Sequence, residues 1–387
     1  MDDTARFLAR CRAWLEPGQS VTIGRAPGRL DAFGGVIDYT GGTVCEMPLA
    51  IATHAAIQPR ADRQLRIVSL EAAEHGLATE VTWELDQLVP PGAPLPYEDV
   101  RAELTADPAT AWAAYVAGAW AVLATEGEIP GFATGASVVI GSEVPFGAGV
   151  SSSAAVEIAT LYALAAHLAL NLDGQRLAHL GQRVENRVVG APCGLMDQLT
   201  VALGRRDSLL VIRCQPDQVV ANEPLPPGVR VGAIHTGVKH AVGGSHYTQA
   251  RCAAFMGHRI IVDRLRGIGT CGPDDDPFEG YLARVPSREF NTCYAALLPE
   301  TIGGAAFLAR YGATVDPVTQ VEPGVDYRVA AAARHHVLDN ARAAEFIEAL
   351  ASYGRTAEPV FLKQAGEAML AGHAGYRDDL GLGADEA

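Results

Sequence analysis

Lysine is almost missing from this chain: among 387 residues, only Lys239 and Lys363 occur. A Walker-type phosphate loop needs a lysine directly after its glycines, and a protein-kinase strand needs one in a V-A-I-K context, so both are excluded. Positive charge is scarce in general. The 30 Lys and Arg stand against 45 Asp and Glu, giving a formal charge of −15, and no basic stripe is present. Nucleic acid, held through clustered cations, is therefore not an expected partner. The seven cysteines (Cys11, Cys45, Cys193, Cys214, Cys252, Cys271 and Cys293) are odd in number and scattered, with no C-x-x-C pair. They read as reduced, mostly buried thiols. The longest apolar run, "IATLYALAAHLALNL", is broken by His167 and is too short for a bilayer, so no membrane partner is expected. The first residues, "MDDTARFLARCRAWLEP", hold early acids and no apolar signal core, which makes the cytoplasm the expected location.

Hydrophobic residues are 49% and charged residues 19% of the chain, the balance of a compact globular protein. Its length predicts about two domains. Alternation and glycine turns predict a strand and loop in "SVTIGRAPGRLDAFGG", further strands in "LRIVSL" and "ATEVTWEL", and another in "ATGASVVIGSEVP" ending at Pro145. Helical spacing is expected in "PATAWAAYVAGAWAVLATEG", from Ser151 onward, in "DGQRLAHLGQRVENRVVG" and in "MDQLTVALG". A boundary near 204–207 precedes the strand "DSLLVIRC", the turn "NEPLPPGV" and the strand "RVGAIHT". Helical stretches are then expected around 246–266, 287–311 and 341–372, within an α+β architecture.

Three stretches concentrate chemistry. In "EVPFGAGVSSSAA", residues 143–155, glycines and serines lead into a helix whose first N–H groups are unpaired and carry partial positive charge, a candidate cradle for phosphates. A serine N-cap on a structural helix is the other reading. In "GRAPGRLDAFGGVIDYTGG", residues 24–42, Arg29 and Asp38 sit among glycines and could converge on one pocket; an ordinary surface turn looks the same. In "VENRVVGAPCGLMDQ", residues 184–198, Glu185 and Asp197 flank a loop with Gly190, Pro192 and Gly194. Two carboxylates near a phosphate cradle suit cation binding and hydroxyl positioning, the two tasks of phosphoryl transfer. "RHH" (334–336) and "DDD" (274–276) read as packing or solvated residues and a solvated loop.

Together these stretches resemble the GHMP kinases, small-molecule kinases that include galactokinase, homoserine kinase and the mevalonate kinases. The likeness extends through "HTGVKHAVGGSHY", "AFMGHRII", "LLPETIGGAAFLARYG" and "GLGADEA", and lies within the sugar-kinase branch, more similar to L-arabinokinase than to galactokinase. It implies a two-domain fold with the active site in an interdomain cleft, divided here as 1–204 and 205–387, with ATP and Mg²⁺ as cofactors and a sugar as substrate. It implies a phosphate loop of Pro145, Gly147, Ala148, Gly149, Ser151, Ser152 and Ser153, and magnesium shared by Ser153 and Glu185. By the same resemblance Asp197 faces the anomeric hydroxyl and accepts its proton late, Arg29 stabilises charge on the phosphoryl group, and Trp112 and Tyr115 fall at adenine contacts. Asp38, Gly194 and Tyr247 match sugar contacts, as do the positions of Gly35 and Val36.

Two departures from the family pattern stand out. Where galactokinases carry Glu-His to hold the exocyclic hydroxymethyl group, this chain has Gly35-Val36, and a glycine there leaves space. L-arabinopyranose is D-galactose without that carbon, so the expected reaction is phosphorylation of L-arabinose at its anomeric hydroxyl. Galactokinase activity, or a non-catalytic sugar and nucleotide sensor, are the alternatives. The chain also stops at Ala387 before a family motif read as G-G-G-S-G-G, which predicts a C-terminal domain truncated before it.

Overall fold

The computed structural model describes residues 3–234 and 245–383. Lys239 and most of "HTGVKHAVGGSHY" lie outside the described residues. Contacts group the chain into two compact units, Met1–Leu30 with Pro48–Arg206, and Asp31–Met47 with Asp207–Ala387. The second boundary falls near the expected composition break. The segment Asp31–Met47, which a single division after residue 204 would leave in the first domain, groups with the second unit. The reason is local: β1 (Thr22–Phe33) and β2 (Thr43–Pro59) are long enough to run through both units.

In the first unit the strand order is β4 (Glu80–Glu84), β3 (Gln64–Ser69), β5 (Ala136–Ser142), β2, with β1 paired to β2. β3 and β5 are parallel; the β2–β5 and β3–β4 pairs are antiparallel. Alternation along the strands separates two faces. Ala55, Ile57, Leu65, Ile67, Val138 and Ile140 enter a large core built against α3 (Ala114–Thr125) and α4 (Ser152–His167). Ala56, Val68 and Val139 point the other way, into a smaller cluster closed by Phe7 and Cys11 of α1 (Asp3–Cys11). α2 (Tyr97–Leu104), α5 (Gly174–Arg183) and α6 (Met196–Leu203) complete the helical layer.

In the second unit, Thr43–Glu46 of β2 pair antiparallel with β6 (Ser208–Cys214), which pairs with β7 (Asp217–Pro224). The sequence "NEP", read as a turn, closes β7 instead, because Ser208 pairs as far as Pro224. The expected strand "RVGAIHT" does not form over 230–234, where Ile234 is exposed; 235–236 lie outside the described residues. α7 (Ser245–Gly267) matches its expected span. The stretch 287–311 is not one helix: a turn α8 (Ser287–Glu289) and further short turns stop before Pro299, β8 (Ile302–Gly303) pairs with β9 (Asp326–Tyr327), and α9 (Gly304–Tyr311) follows. Likewise 341–372 is two helices, α10 (Val329–Thr356) and α11 (Pro359–Asp378). Pro359 has no N–H to continue α10 and begins α11 instead. Their apolar sides, with α7, enclose the cores around Phe255, Phe307 and Val337 and around Phe33, Phe346 and Ala343.

One close approach fixes β1 against α4. A Cβ on Gly24 would stand 2.0 Å from the carbonyl oxygen of Ala159 and 2.7 Å from the nitrogen of Ala163. Backbone cannot yield as a side chain can, so Gly24→Ala is expected to separate strand and helix and to cost about 1–3 kcal/mol or more. Gly366→Ala, inside α11 with open space around its Cβ, should instead raise stability by up to about 1 kcal/mol. Thermal melts of the two variants check this, and equal shifts would mean that the β1–α4 contact is not tight.

Candidate active site

β1 carries Arg29 into the first unit under the 143–155 loop. Gly28 permits this, since a Cβ there would lie 2.9 Å from both the Val150 carbonyl oxygen and a Val144 methyl. The Arg29 backbone N–H donates to Val150 O at 3.1 Å. Its side chain is buried, and Nε and Nη2 both reach Asp197 Oδ1 at 2.8 Å, while Nη1 donates to the Gly149 carbonyl at 2.7 Å. The other carboxylate oxygen of Asp197 accepts the Ser151 hydroxyl. The two expected catalytic residues, 168 positions apart, thus form one ion pair. The Asp197 side chain keeps 21% exposure against 10% for Arg29, so the carboxylate remains the accessible partner.

Ser151 occupies the N-cap position of α4 but does not cap it. Its backbone is left-handed (φ 56°, ψ 52°), and its hydroxyl bonds Asp197 in place of a first-turn N–H. The start of α4, with Ser152 and Ser153 in its first turn, therefore has no side-chain cap, which leaves donors for an incoming anion. Gly147 and Gly149 have φ of 69° and 73° with nothing within 4 Å of where a Cβ would be, so the loop needs glycine for its conformation and leaves its backbone open. Pro145 is exposed, Ala148 half-buried, and Phe146 lies exposed against His75, with ring centroids 5.0 Å apart.

The expected magnesium pair is also brought together. The Ser153 hydroxyl hydrogen-bonds Glu185, which stands in a π-type turn, Val184–Val189, continuing α5. Glu185 is buried; its Oε2 accepts from Gln198 Nε2 at 2.7 Å and from Cys193 Sγ at 3.4 Å. The same Gln198 nitrogen is 3.0 Å from Glu157 of α4, a fully buried carboxylate whose Oε1 has no partner. Burial, reinforced by the charge of Asp197 and opposed by these hydrogen bonds, pushes Glu185 up to about 7; burial and the charge of Glu185 push Glu157 well above its usual range. Such a chamber suits a cation, which would relieve the crowding of negative charge. Among the described residues no three His, Cys, Asp or Glu side chains form a metal-holding set. Ser153 and Glu185 can thus supply part of a magnesium shell, with phosphate oxygens and water completing it. Glu157 and Gln198 were not among the expected site residues. The available signal was Glu157 itself, the one acid on α4.

Gly194 lies half-buried in the loop just before α6. Tyr115, half-buried at the start of α3, is close enough to Glu185 and Glu157 for their charges to raise its hydroxyl, after burial. Trp112 is placed differently: its Nε1 donates to the Ala78 carbonyl at 2.9 Å and its ring packs on the core. In the second unit, Asp38 is buried and acts electrostatically on Tyr39 and Arg251. Tyr247 meets Tyr39 edge to face at 5.9 Å. Arg251 lies over the Tyr39 ring at 4.8 Å and is held by Asp316 through two bonds of 2.7 and 2.8 Å. The expected empty space at Gly35 is not there: a Cβ would fall 1.8 Å from Asp31 Oδ2, so the Asp31 carboxylate fills it. Val36 is buried beside Tyr39 in the apolar core.

His336 packs as read, its ring nitrogens 2.9 Å from Thr40 Oγ1 and 3.2 Å from Tyr39 OH. The aspartate run is not simply solvated. Asp276 accepts from the backbone of Phe278 and Gly280 at 2.9 and 2.7 Å and stands 3.2 Å from buried His258. Burial opposes its charge, yet these partners hold it at about 2. Among the described residues no helix is long and apolar enough to cross a membrane.

Comparison with known proteins places these features in a family. Residues 114–205 match the GHMP kinases N terminal domain, and residues 16–59 the galactokinase galactose-binding signature. L-arabinokinase of Arabidopsis thaliana is 36% identical over 374 residues, covering 86% of this chain and 36% of that protein. Galactokinase of Chloroflexus aurantiacus is 31% identical over 358 residues, covering 92% of this chain and 73% of that protein. The chain therefore spans little more than a third of the arabinokinase. The crystal structure of Lactococcus lactis galactokinase complexed with galactose superposes with a TM-score of 0.74 at 21% identity, covering 100% of this chain and 82% of that one; the two share a fold.

The raised Glu185 pKa carries a pH dependence of definite sign. The unfolded carboxyl releases its proton near 4.5, the folded one near 7, so the folded state binds the extra proton between these values. That contribution is complete below about pH 4.5 and is lost as pH rises through about 7. Glu185→Gln removes it. In the presence of a chelator, the wild type should lose on the order of 2 kcal/mol relative to Glu185→Gln between pH 4.5 and 7.5. Parallel melting curves for the two proteins across that range would show that Glu185 takes up no proton on folding.

Proposed function

The chain belongs to the sugar-kinase branch of the GHMP kinase family, and we propose that it transfers the γ-phosphoryl group of ATP to the anomeric hydroxyl of a monosaccharide. The observation that carries this reading is the Arg29–Asp197 pair, held by Ser151 and Gly149 at the uncapped start of α4. A charge pair of this kind, beside open N–H donors and a second carboxylate site, supplies what phosphoryl transfer asks of a protein: positioning and charge stabilisation.

In this mechanism the open backbone of 145–149 and the first turn of α4 bind the phosphates, with Tyr115 toward the base; Trp112, committed to Ala78 and the core, is left out of it. Ser153 and Glu185 would hold magnesium, whose positive charge would offset that of the phosphate oxygens. Asp197 orients the sugar hydroxyl through its accessible carboxylate and accepts the proton late. Arg29 prevents that carboxylate from turning away, because two of its nitrogens grip a single oxygen, and it adds positive charge near the reaction. Asp38, Tyr247 and Gly194 are the proposed sugar contacts, while Val36 is buried in the core and Asp31 fills the space at Gly35.

We take L-arabinose as the acceptor. The 36% identity to L-arabinokinase over 86% of the chain supports it; at Gly35, where galactokinases hold a hydroxymethyl group, the Asp31 carboxylate takes up the room that group would need. The galactose-binding signature across 16–59 favours D-galactose as the second reading. A non-catalytic sensor on the same fold would bind both ligands without forming product.

Incubating the protein with MgATP and a panel of monosaccharides, and following phosphorus NMR, tests the reading: a sugar 1-phosphate is expected, and binding without product would favour the sensor. Asp197→Asn should lower kcat by at least about a hundredfold while MgATP affinity stays within a few-fold. Retained turnover would remove Asp197 from the mechanism. L-arabinose should exceed D-galactose in kcat/KM by roughly ten- to a hundredfold, the cost of an unpaired buried hydroxyl. A reversed order would make the enzyme a galactokinase.

A further inference from the structure

Gln198, in the first turn of α6, is fully buried, and one nitrogen of its side chain serves two carboxylates. Nε2 donates to Glu185 Oε2 at 2.7 Å and to Glu157 Oε2 at 3.0 Å. An amide nitrogen carries two hydrogens, so each acid takes one. The arrangement has a visible cost: Gln198 Oε1 and Glu157 Oε1 are both buried with no hydrogen-bond partner. Turning the amide over would not relieve it, because the amide oxygen would then face two carboxylate oxygens and both bonds would be lost. The acids on either side therefore fix its orientation.

α4 reaches Glu185 by two routes. Ser153 and Glu157 lie four residues apart, on one face of the helix. Ser153 bonds Glu185 directly, and Glu157 reaches it through Gln198. α5 makes room for the amide with Gly181, four residues before Glu185. A Cβ there would lie 3.2 Å from Gln198 Cγ and 3.5 Å from Glu157 Oε2, so the glutamine lies in a close slot.

Gln198 and Cys193 both bond Oε2 of Glu185, at 2.7 and 3.4 Å, and neither takes Oε1. We propose that Gln198 is a positioning residue for magnesium: it holds Glu185 by Oε2, leaving Oε1 for the cation, and Glu157 keeps the amide turned that way. The proposal rests on the reading of Ser153 and Glu185 as magnesium ligands. Magnesium tolerates little departure from octahedral geometry, so a carboxylate free to swing binds it less well than one held by a partner behind it. Fold stability alone does not account for the clamp. Well-packed apolar side chains in place of buried charged and polar groups are often neutral or stabilising, and buried polar atoms without partners weaken a fold.

The test reads the metal without turnover and without sugar. ADP is titrated into the full chain by calorimetry, once in EDTA and once in saturating magnesium, and the ratio of the two affinities is the contribution of the metal. The wild type should bind ADP more tightly with magnesium. Gln198→Met, similar in length but without donors, should lose most of that gain while its affinity in EDTA stays within about twofold, and its magnesium requirement for half-maximal kinase activity should rise by about tenfold or more. Glu157→Gln keeps an oxygen that can accept from Gln198 and should retain the gain; Glu157→Met should lose part of it. An unchanged gain in Gln198→Met, or an equal fall of affinity with and without magnesium, would overturn the clamp and leave Gln198 a structural residue. A wild type that shows no gain would overturn the magnesium reading of Ser153 and Glu185 and the clamp with it, while phosphoryl transfer to a sugar is judged separately by the NMR assay. Should Gln198→Met fail to fold, Gln198→Asn, whose amide stands one carbon short of both acids, is read in the same way.

Discussion

A buried guanidinium organises the first unit. Taking Arg29 out of water costs several kcal/mol unless its donors are filled, and here they are filled by Asp197 from α6 and by the Gly149 carbonyl from the loop before α4. That requirement ties together β1, α6 and the glycine loop. It also accounts for the left-handed backbone of Ser151, an uncommon conformation costing about 1–3 kcal/mol. With that backbone the Ser151 hydroxyl reaches Asp197, and the first turn of α4 is left uncapped. Removing the ion pair would therefore release the loop as well as the charge.

A second constraint lies behind the first. Glu185 and Asp197 both raise the cost of charging Glu157, and Asp197 raises that of Glu185. Gln198 holds two of them with one nitrogen, and Ser153 and Cys193 add further donors to Glu185. Acidic groups so crowded in an apolar shell are unfavourable for an empty protein and favourable for one holding a cation, the arrangement expected where stability has been traded for binding.

Much of this arrangement was readable from local pattern. Alternation marked β3, β4, β5 and β6, and the helical period marked α4 and α7, because each is long or regular enough for one face to be apolar. The failures have equally local causes. Pro299 and Pro359 interrupt helical spacing that is otherwise continuous, and the apolar residues of 230–234 find no strand partner. The glycine at 35 suggested empty space, but space belongs to the neighbourhood, and Asp31 occupies it. Asp276 looked solvated within its acidic run, while its partner His258 lies on another element.

Residue type and short spacing by themselves determined the candidate chemistry: a glycine-serine entry to a helix, an arginine after a Pro-Gly turn, and two carboxylates around a glycine loop, in a chain without the lysine of other phosphate loops. These features depend only on neighbours along the chain. Tertiary structure alone decided that Arg29 meets Asp197 across 168 positions, that Ser151 bonds a carboxylate in place of capping its helix, that Glu157 joins Glu185 through Gln198, and that His335 is buried without a hydrogen-bond partner. Each of these depends on desolvation and on distances set by packing between elements, quantities that no local pattern encodes.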